Sequence, residues 1–106
     1  MTRCRIVVTA IAEQDVRDIA QYISSDSGIA ARRFGAEFTS AVERIGEFPG
    51  TGYPLSQEDE AVLGTRVSSR FRHYTVIYRR DDEFTIRVLR VVHSARDIHA
   101  ILVGLG

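Results

Sequence analysis

The spacing of apolar residues changes along this chain, from a helical period in the first half to alternation in the second half. A short β-branched run, RCRIVV at residues 3–8, is followed from Ala10 to about Ser25 by apolar positions that recur every three or four residues. This pattern predicts a strand and then an amphipathic helix. Thr9 is predicted to cap this helix, and the small polar stretch SSDSG at residues 24–28 is predicted to end it.

A second helix is predicted from one apolar stripe. Its members lie four, three, four and three residues apart, and they are Phe34, Phe38, Ala41, Ile45 and Phe48. Ser27 is the predicted cap, and Pro49 is predicted to end the helix because proline cannot be accommodated in a helix interior. Two helices joined by a few residues form an antiparallel hairpin. Since each helix has one apolar stripe, we expect the hairpin to cover a sheet.

Three strands are predicted beyond the acidic loop at residues 56–61, because the apolar period there becomes two. The first, residues 65–73, alternates one row of apolar or small residues with a row that a strand would expose. The exposed row contains Arg66, Arg70 and Arg72. Residues 73–78 and 84–92 predict the other two strands, and the nearly continuous apolar character of the last one favours an interior position in the sheet.

The C-terminal residues predict a short last helix. Ser94 and Asp97 resemble a capping box that opens it, and Ile98, Ile101 and Leu102 repeat at helical spacing. We therefore predict an α+β fold. It has an N-terminal strand, an antiparallel two-helix hairpin on one face of a largely antiparallel four-stranded sheet, and a short C-terminal helix. A chain of 106 residues is expected to form a single domain over residues 1–106. The apolar end ILVGLG is expected to dock on the sheet or on a partner.

Composition excludes several functional classes. No apolar run approaches the roughly 18 residues that span a bilayer, so we expect a cytoplasmic protein with no membrane partner. The single cysteine, Cys4, rules out an internal disulfide and is in phase with apolar neighbours, which favours a small buried side chain. The three histidines, His73, His93 and His99, lack the spacing of zinc ligands, and we expect neither a metal nor a cofactor.

Charge is unevenly distributed although its total is zero. Residues 1–60 contain 6 Arg and 10 acidic residues, a net charge of −4, whereas residues 61–106 contain 8 Arg and 4 acidic residues, a net charge of +4. All 14 basic residues are arginine, which is the better group for bidentate binding of carboxylate or phosphate. A zero net charge argues against simple electrostatic capture of nucleic acid.

The stretch RVVHSARD at residues 90–97 holds the candidate chemistry. A histidine that moves a proton near neutral pH, beside arginines that hold a phosphate, is the minimum requirement for cleaving RNA. In this interpretation the catalytic residues are His93, Arg70 and Arg90, with Arg70 opposite His93 if the hairpin turns in two residues at Asp81 and Asp82. The same stretch is also an ordinary junction between a strand and a helix, in which His93 has a structural or partner-binding role.

Four segments resemble the ParE branch of the ParE/RelE toxin superfamily. They are T..A..D...IA.YI from Thr9 to Ile23, A..F...F..A...I..FP..G.P from Ala31 to Pro54, Arg66 with Tyr-x-Val-x-Tyr-Arg at residues 74–79, and I.VLRVVHSARD from Ile86 to Asp97. Each segment is degenerate, but their order and spacing cover almost the whole chain. On this resemblance the chain is identified as a ParE-like toxin of a bacterial type II toxin–antitoxin system.

The resemblance implies a protein that acts by binding and is not an enzyme. Its implied target is DNA gyrase, and its implied partner is a ParD-like antitoxin that forms a hetero-oligomeric complex with it and provides its only link to DNA. The residues expected to bind the antitoxin or the target are Arg66, Arg70, Arg72, Arg90, His93 and Arg96. The RelE branch shares the fold but cleaves mRNA on the ribosome, so fold alone does not assign the function.

Two alternatives stay open from the sequence. The first is a RelE-like endoribonuclease, against which we note that no tyrosine or lysine follows Tyr78, whereas the resemblance to RelE-type sites implies several basic residues and a tyrosine near the C-terminus. The second is a protein that has lost toxicity and survives as an antitoxin-binding component. For the arginine row, solubility of an exposed strand is as good an explanation as binding.

Overall fold

The computed structural model describes residues 3–68, 73–96 and 98–105, and it confirms the predicted α+β fold. The elements are β1 (Arg5–Val8), α1 (Ala10–Ser24), α2 (Gly28–Glu47), β2 (Tyr53–Pro54), β3 (Val62–Ser68), β4 (His73–Arg80), β5 (Thr85–His93) and α3 (Ile98–Leu105). A single turn of 3-10 helix, Pro49–Thr51, lies between α2 and β2. The strand β2 adds a short fifth strand to the four that the sequence predicts.

Both long helices begin at the hydroxyl caps that the sequence predicts. The Thr9 side chain accepts a hydrogen bond from the Ala12 N–H at 3.1 Å and donates one to the Leu89 carbonyl oxygen at 3.2 Å. The Ser27 side chain accepts the Ala30 N–H at 3.1 Å. Each cap satisfies an N–H group that has no partner within the helix, and Thr9 also ties the start of α1 to β5.

The strands form one mixed sheet in the order β1-β5-β4-β3-β2. The first strand pairs with β5 in parallel, and the remaining pairs are antiparallel. The sheet is therefore largely antiparallel, and β5 lies in its interior, as its continuous apolar sequence predicts. This position explains that sequence, because side chains on both faces of an interior strand are covered.

The two faces of the sheet carry different layers. The face that we call the hairpin face packs against α1 and α2, and its buried members include Val67, Tyr74, Val76, Tyr78 and Val91. The opposite face, which we call the α3 face, has a smaller apolar cluster. That cluster contains Val62, Ile77 and Val92, against which Ile98, Ile101 and Leu102 pack. The sequence predicts α3, and the structure docks it on the side of the sheet away from the hairpin.

Three local predictions are wrong. The loop between β4 and β5 spans residues 81–84 rather than two residues, and the register shifts between Ile77 and Tyr78. Phe48 caps the end of α2 and remains 49% exposed, although the stripe predicts that it is buried. Ser94 does not cap α3, because that helix begins at Ile98 and the Ser94 hydroxyl binds Thr75 instead. Asp97, the other member of the predicted capping box, lies outside the described residues.

Candidate functional site

His93 ends β5 with its ring on the hairpin face. Its ring lies edge-on to Tyr74, with centroids 5.7 Å apart and planes at 81°. Its Nδ1 accepts the N–H of Ala95 at 3.1 Å, so Nδ1 carries no proton in this arrangement and Nε2 is the nitrogen left for other contacts. The ring thus closes the turn that follows β5. This is a structural role, and it leaves Nε2 available to a partner.

The register removes the basic neighbour that the ribonuclease interpretation requires. Tyr74 is paired with His93 across β4 and β5, so the predicted pairing of Arg70 with His93 is wrong. The causes are the longer loop and the register shift between Ile77 and Tyr78, which together move the residues of β4 relative to β5. Arg70 and Arg72 themselves lie outside the described residues.

Arg90 is held by an acidic residue of α1. Its Nε and one terminal nitrogen donate to the two carboxylate oxygens of Asp15 at 2.7 and 3.1 Å, and the Val91 N–H donates to the same carboxylate at 2.9 Å. The hydrogen bonds that Arg90 donates to the Asp15 carboxylate raise the pKa of Arg90 above its usual value, against the opposing effect of burial. The carboxylate therefore already neutralises Arg90 and occupies two of its donors.

The sequence pattern does not predict this ion pair. The partners are 75 residues apart in the chain, and the periodicity of α1 marks Asp15 only as a polar position beside the apolar stripe. The one available signal was a charged residue within the otherwise apolar strand β5, because a charge at such a position needs a partner.

Arg66 lies on the α3 face, on the other side of the sheet from His93. It is paired in register with Thr75, whereas its neighbour Val67 is paired with Tyr74 and is buried on the hairpin face. Side chains alternate between the faces of a strand, so the sheet separates Arg66 from His93. The sequence placed both residues in one binding set, and the structure distributes them over two surfaces.

Arg96 follows β5 in an exposed turn. Its N–H donates to the His93 carbonyl oxygen at 3.0 Å, which places the start of the Arg96 side chain close to the histidine. These two residues are the only members of the predicted set that the described part of the structure brings together. They form a small basic corner at the end of β5.

A cleft of about 850 Å³ opens between the acidic loop and α3, and sequence reasoning did not predict it. Leu55, Leu89 and Leu102 give it apolar walls, while Glu58 and His99 contribute polar groups. A salt bridge between Asp59 and Arg79 crosses its rim.

The described ranges contain neither a metal-binding cluster nor a membrane-spanning helix. In residues 3–68, 73–96 and 98–105 no group of three or more histidine, cysteine or acidic side chains is arranged to hold a metal ion. No helix of those residues is long and apolar enough to cross a bilayer.

Comparisons with known proteins agree with the fold. The family model described as the ParE toxin of the type II toxin–antitoxin system parDE matches residues 6–98. No protein in the search of curated proteins matches this chain.

Two solved structures are similar over most of their length. The chromosomal ParDE system of P. aeruginosa matches with a TM-score of 0.66 and 15% identity over 86% of this chain and 96% of that one. The toxin–antitoxin complex RelBE2 of Mycobacterium tuberculosis matches with a TM-score of 0.57 and 26% identity over 87% of this chain and 99% of that one.

Proposed function

This chain belongs to the ParE toxin family of type II toxin–antitoxin systems, and we propose that it inhibits DNA gyrase by binding and is neutralised by a ParD-like antitoxin. The observation that carries binding over RNA cleavage is the dispersal of the candidate catalytic groups. Cleavage needs a base, an acid and positive charge that converge on one phosphate. Here Tyr74, which is not a basic residue, lies opposite His93, and Asp15 neutralises Arg90.

The antitoxin partner is supported by charge and by the two similar structures. Both of those structures are toxin–antitoxin systems by their own descriptions. The C-terminal half of this chain, with its net charge of +4, offers exposed arginines to an acidic partner segment. In this proposal the toxin and antitoxin form a hetero-oligomer, and DNA is reached only through the antitoxin.

Plasmid supercoiling by purified gyrase tests the proposed target. Wild-type protein should inhibit supercoiling or trap cleaved plasmid, and His93→Ala should do so at a concentration within about twofold of wild type, because the ring packs in a turn. His99→Ala is the matched control, since it removes an exposed histidine from α3. A gyrase unaffected by the wild-type protein would contradict the proposed target.

Cleavage of mRNA on translating ribosomes distinguishes the ribonuclease alternative. We expect no cleavage by the wild-type protein. Cleavage that wild type and His99→Ala share, and that His93→Ala loses, would make RVVHSARD an active site and overturn the proposal. Growth arrest on expression, relieved by co-expression of the ParD-like antitoxin, separates a functional toxin from a non-toxic binding component.

A further inference from the structure

A chain of hydroxyl groups crosses the α3 face. The Thr75 hydroxyl lies 2.9 Å from the Ser94 hydroxyl and 3.4 Å from the Tyr53 hydroxyl. Thr75 is only 1% exposed, whereas Tyr53 is 43% exposed. The buried Thr75 therefore fixes the chain in place, and its exposed end is a phenol. Each hydroxyl has one hydrogen to donate, so a chain of three hydroxyls leaves one donor hydrogen for an acceptor from outside.

Arg66 stands beside this chain without an acidic partner among the described residues. Its register partner is Thr75, and side chains paired across antiparallel strands have Cβ atoms about 5 Å apart on the same face. Two other arginines of this face differ, because Arg79 is paired with Asp59 and Arg87 with Asp81. Arg5 also lies on this face, but on β1, three strands away from β3. Within residues 3–68, 73–96 and 98–105 no hydrogen bond or ion pair of the Arg66 guanidinium is found.

We propose that Arg66 and the Tyr53–Thr75–Ser94 hydroxyl chain form a binding site for one carboxylate of the antitoxin. This inference rests on the proposed function and adds a single acceptor site and its chemistry to it. The guanidinium supplies a planar pair of donors that match the two oxygens of an aspartate or glutamate. The hydroxyl chain supplies a further, neutral donor to the same group, at the exposed Tyr53 end.

The charges of this face favour a carboxylate over a nucleic-acid backbone. A backbone of regularly spaced phosphates is bound by several cations in a row, whereas Arg79 and Arg87 of this face are already neutralised by Asp59 and Asp81. One guanidinium without an acidic partner suits one isolated negative charge. The exposed ring of Tyr53 gives the residues that flank that charge an apolar surface on which to pack.

Calorimetry of this 106-residue chain with its ParD-like antitoxin tests the site. Arg66→Gln should weaken binding about 10- to 100-fold, the range expected when a charge-assisted hydrogen bond is lost. Arg66→Lys should recover part of that loss, because it keeps the charge but not the planar fork. Thr75→Val, which keeps the shape and removes the hydroxyl, should weaken binding by a smaller factor. Arg87→Gln is the matched control and should change affinity less than twofold, because Asp81 already pairs with Arg87.

The acidic residue of the antitoxin is then located by replacing each of its aspartates with asparagine and each of its glutamates with glutamine, one at a time. One exchange should weaken binding to wild type about as much as Arg66→Gln does, and should add nothing when combined with Arg66→Gln. A wild-type toxin that does not bind the antitoxin would overturn the proposed function and this inference with it. Binding that Arg66→Gln leaves within twofold would overturn the inference alone. The inference would also be overturned if Arg66→Gln weakened binding only to a single-stranded RNA oligonucleotide, since the site would then bind phosphate.

Discussion

The ion pair between Asp15 and Arg90 yields the sharpest test of how this fold is held together. The Asp15 carboxylate accepts three hydrogen bonds, two from the guanidinium of Arg90 and one from the Val91 N–H. It therefore joins the first helix to the interior strand of the sheet. The perturbation is Asp15→Ala, with Asp15→Asn as a milder variant that keeps an acceptor but removes the charge.

The expected cost follows from partial burial. The exposed fractions are 14% for the Asp15 side chain and 26% for the Arg90 side chain. Loss of a hydrogen bond to a charged group costs about 1.5–3 kcal/mol, and a buried N–H left without a partner costs about 1–3 kcal/mol. Water reaches Arg90 in part and offsets some of this loss. We expect Asp15→Ala to lower the free energy of unfolding by about 3 kcal/mol and Asp15→Asn by about half as much.

Urea unfolding followed by far-UV circular dichroism measures these changes. Asp18→Ala is the matched control, because Asp18 is exposed on the same helix and bonds only Gln14 in the described structure. It should cost less than about 0.5 kcal/mol. The double variant Asp15→Ala with Arg90→Met completes a cycle, which should give a coupling energy of at least about 1 kcal/mol. If Asp15→Ala costs no more than Asp18→Ala, or if the coupling is near zero, the argument from this ion pair is refuted.

Two further predictions concern the segment between α2 and β3. Burial raises the pKa of Tyr78 above 10.0, and its hydroxyl donates to the Pro49 carbonyl oxygen at 2.9 Å. Because the pKa of Tyr78 is higher in the folded state than in the unfolded state, its contribution to stability is fully present below pH 10. That contribution is lost as pH rises from 10 through the folded pKa. Tyr78→Phe should lower the free energy of unfolding by about 1 kcal/mol at neutral pH. Its stability should also fall less than that of wild type as pH rises above 10. Denaturant titrations that give the same alkaline fall in stability for both proteins would contradict this. A Cβ added at Gly52 would overlap the Tyr78 hydroxyl and lie 3.0 Å from the Gly64 carbonyl oxygen, whereas one at Gly50 meets nothing within 4 Å. Gly52→Ala should therefore lower the free energy of unfolding by about 1–3 kcal/mol, whereas Gly50→Ala should change it little. Equal melting temperatures for the two variants would contradict this, because they would show that the segment shifts to accommodate the added methyl group.

The family match agrees with the resemblance seen in the sequence, and the structure shows which candidate binding residues lie on the same face. The ParE resemblance of the four sequence segments is confirmed by the family match over residues 6–98. The set of six candidate binding residues remains a prediction, because two of them, Arg70 and Arg72, lie outside the described residues. The structure adds that Arg66 and His93 cannot share one contact surface on this chain.

The sequence alone located the two long helices and the interior strand, whereas it placed the start of β3 at residue 65 rather than at Val62 and did not predict β2. The caps at Thr9 and Ser27, the end of α2 at Pro49 and the two apolar stripes all act between residues a few positions apart. They are found where the sequence predicts them, apart from the exposed Phe48 at the end of the second stripe. The interior position of β5 was also predictable, since a strand covered on both faces needs apolar residues in nearly every position. These signals are local or compositional, so a single chain contains them in full.

Only the tertiary structure decided which functional groups meet. The length of the β4–β5 loop and the register shift at Ile77 and Tyr78 placed Tyr74, rather than Arg70, opposite His93. Packing of α1 on β5 brought Asp15 to Arg90 across 75 residues, and the alternation of β3 put Arg66 on the far face. Each outcome depends on contacts between distant segments. A change of one residue in register reverses the face of every side chain in a strand, while it leaves the pattern of the sequence unchanged.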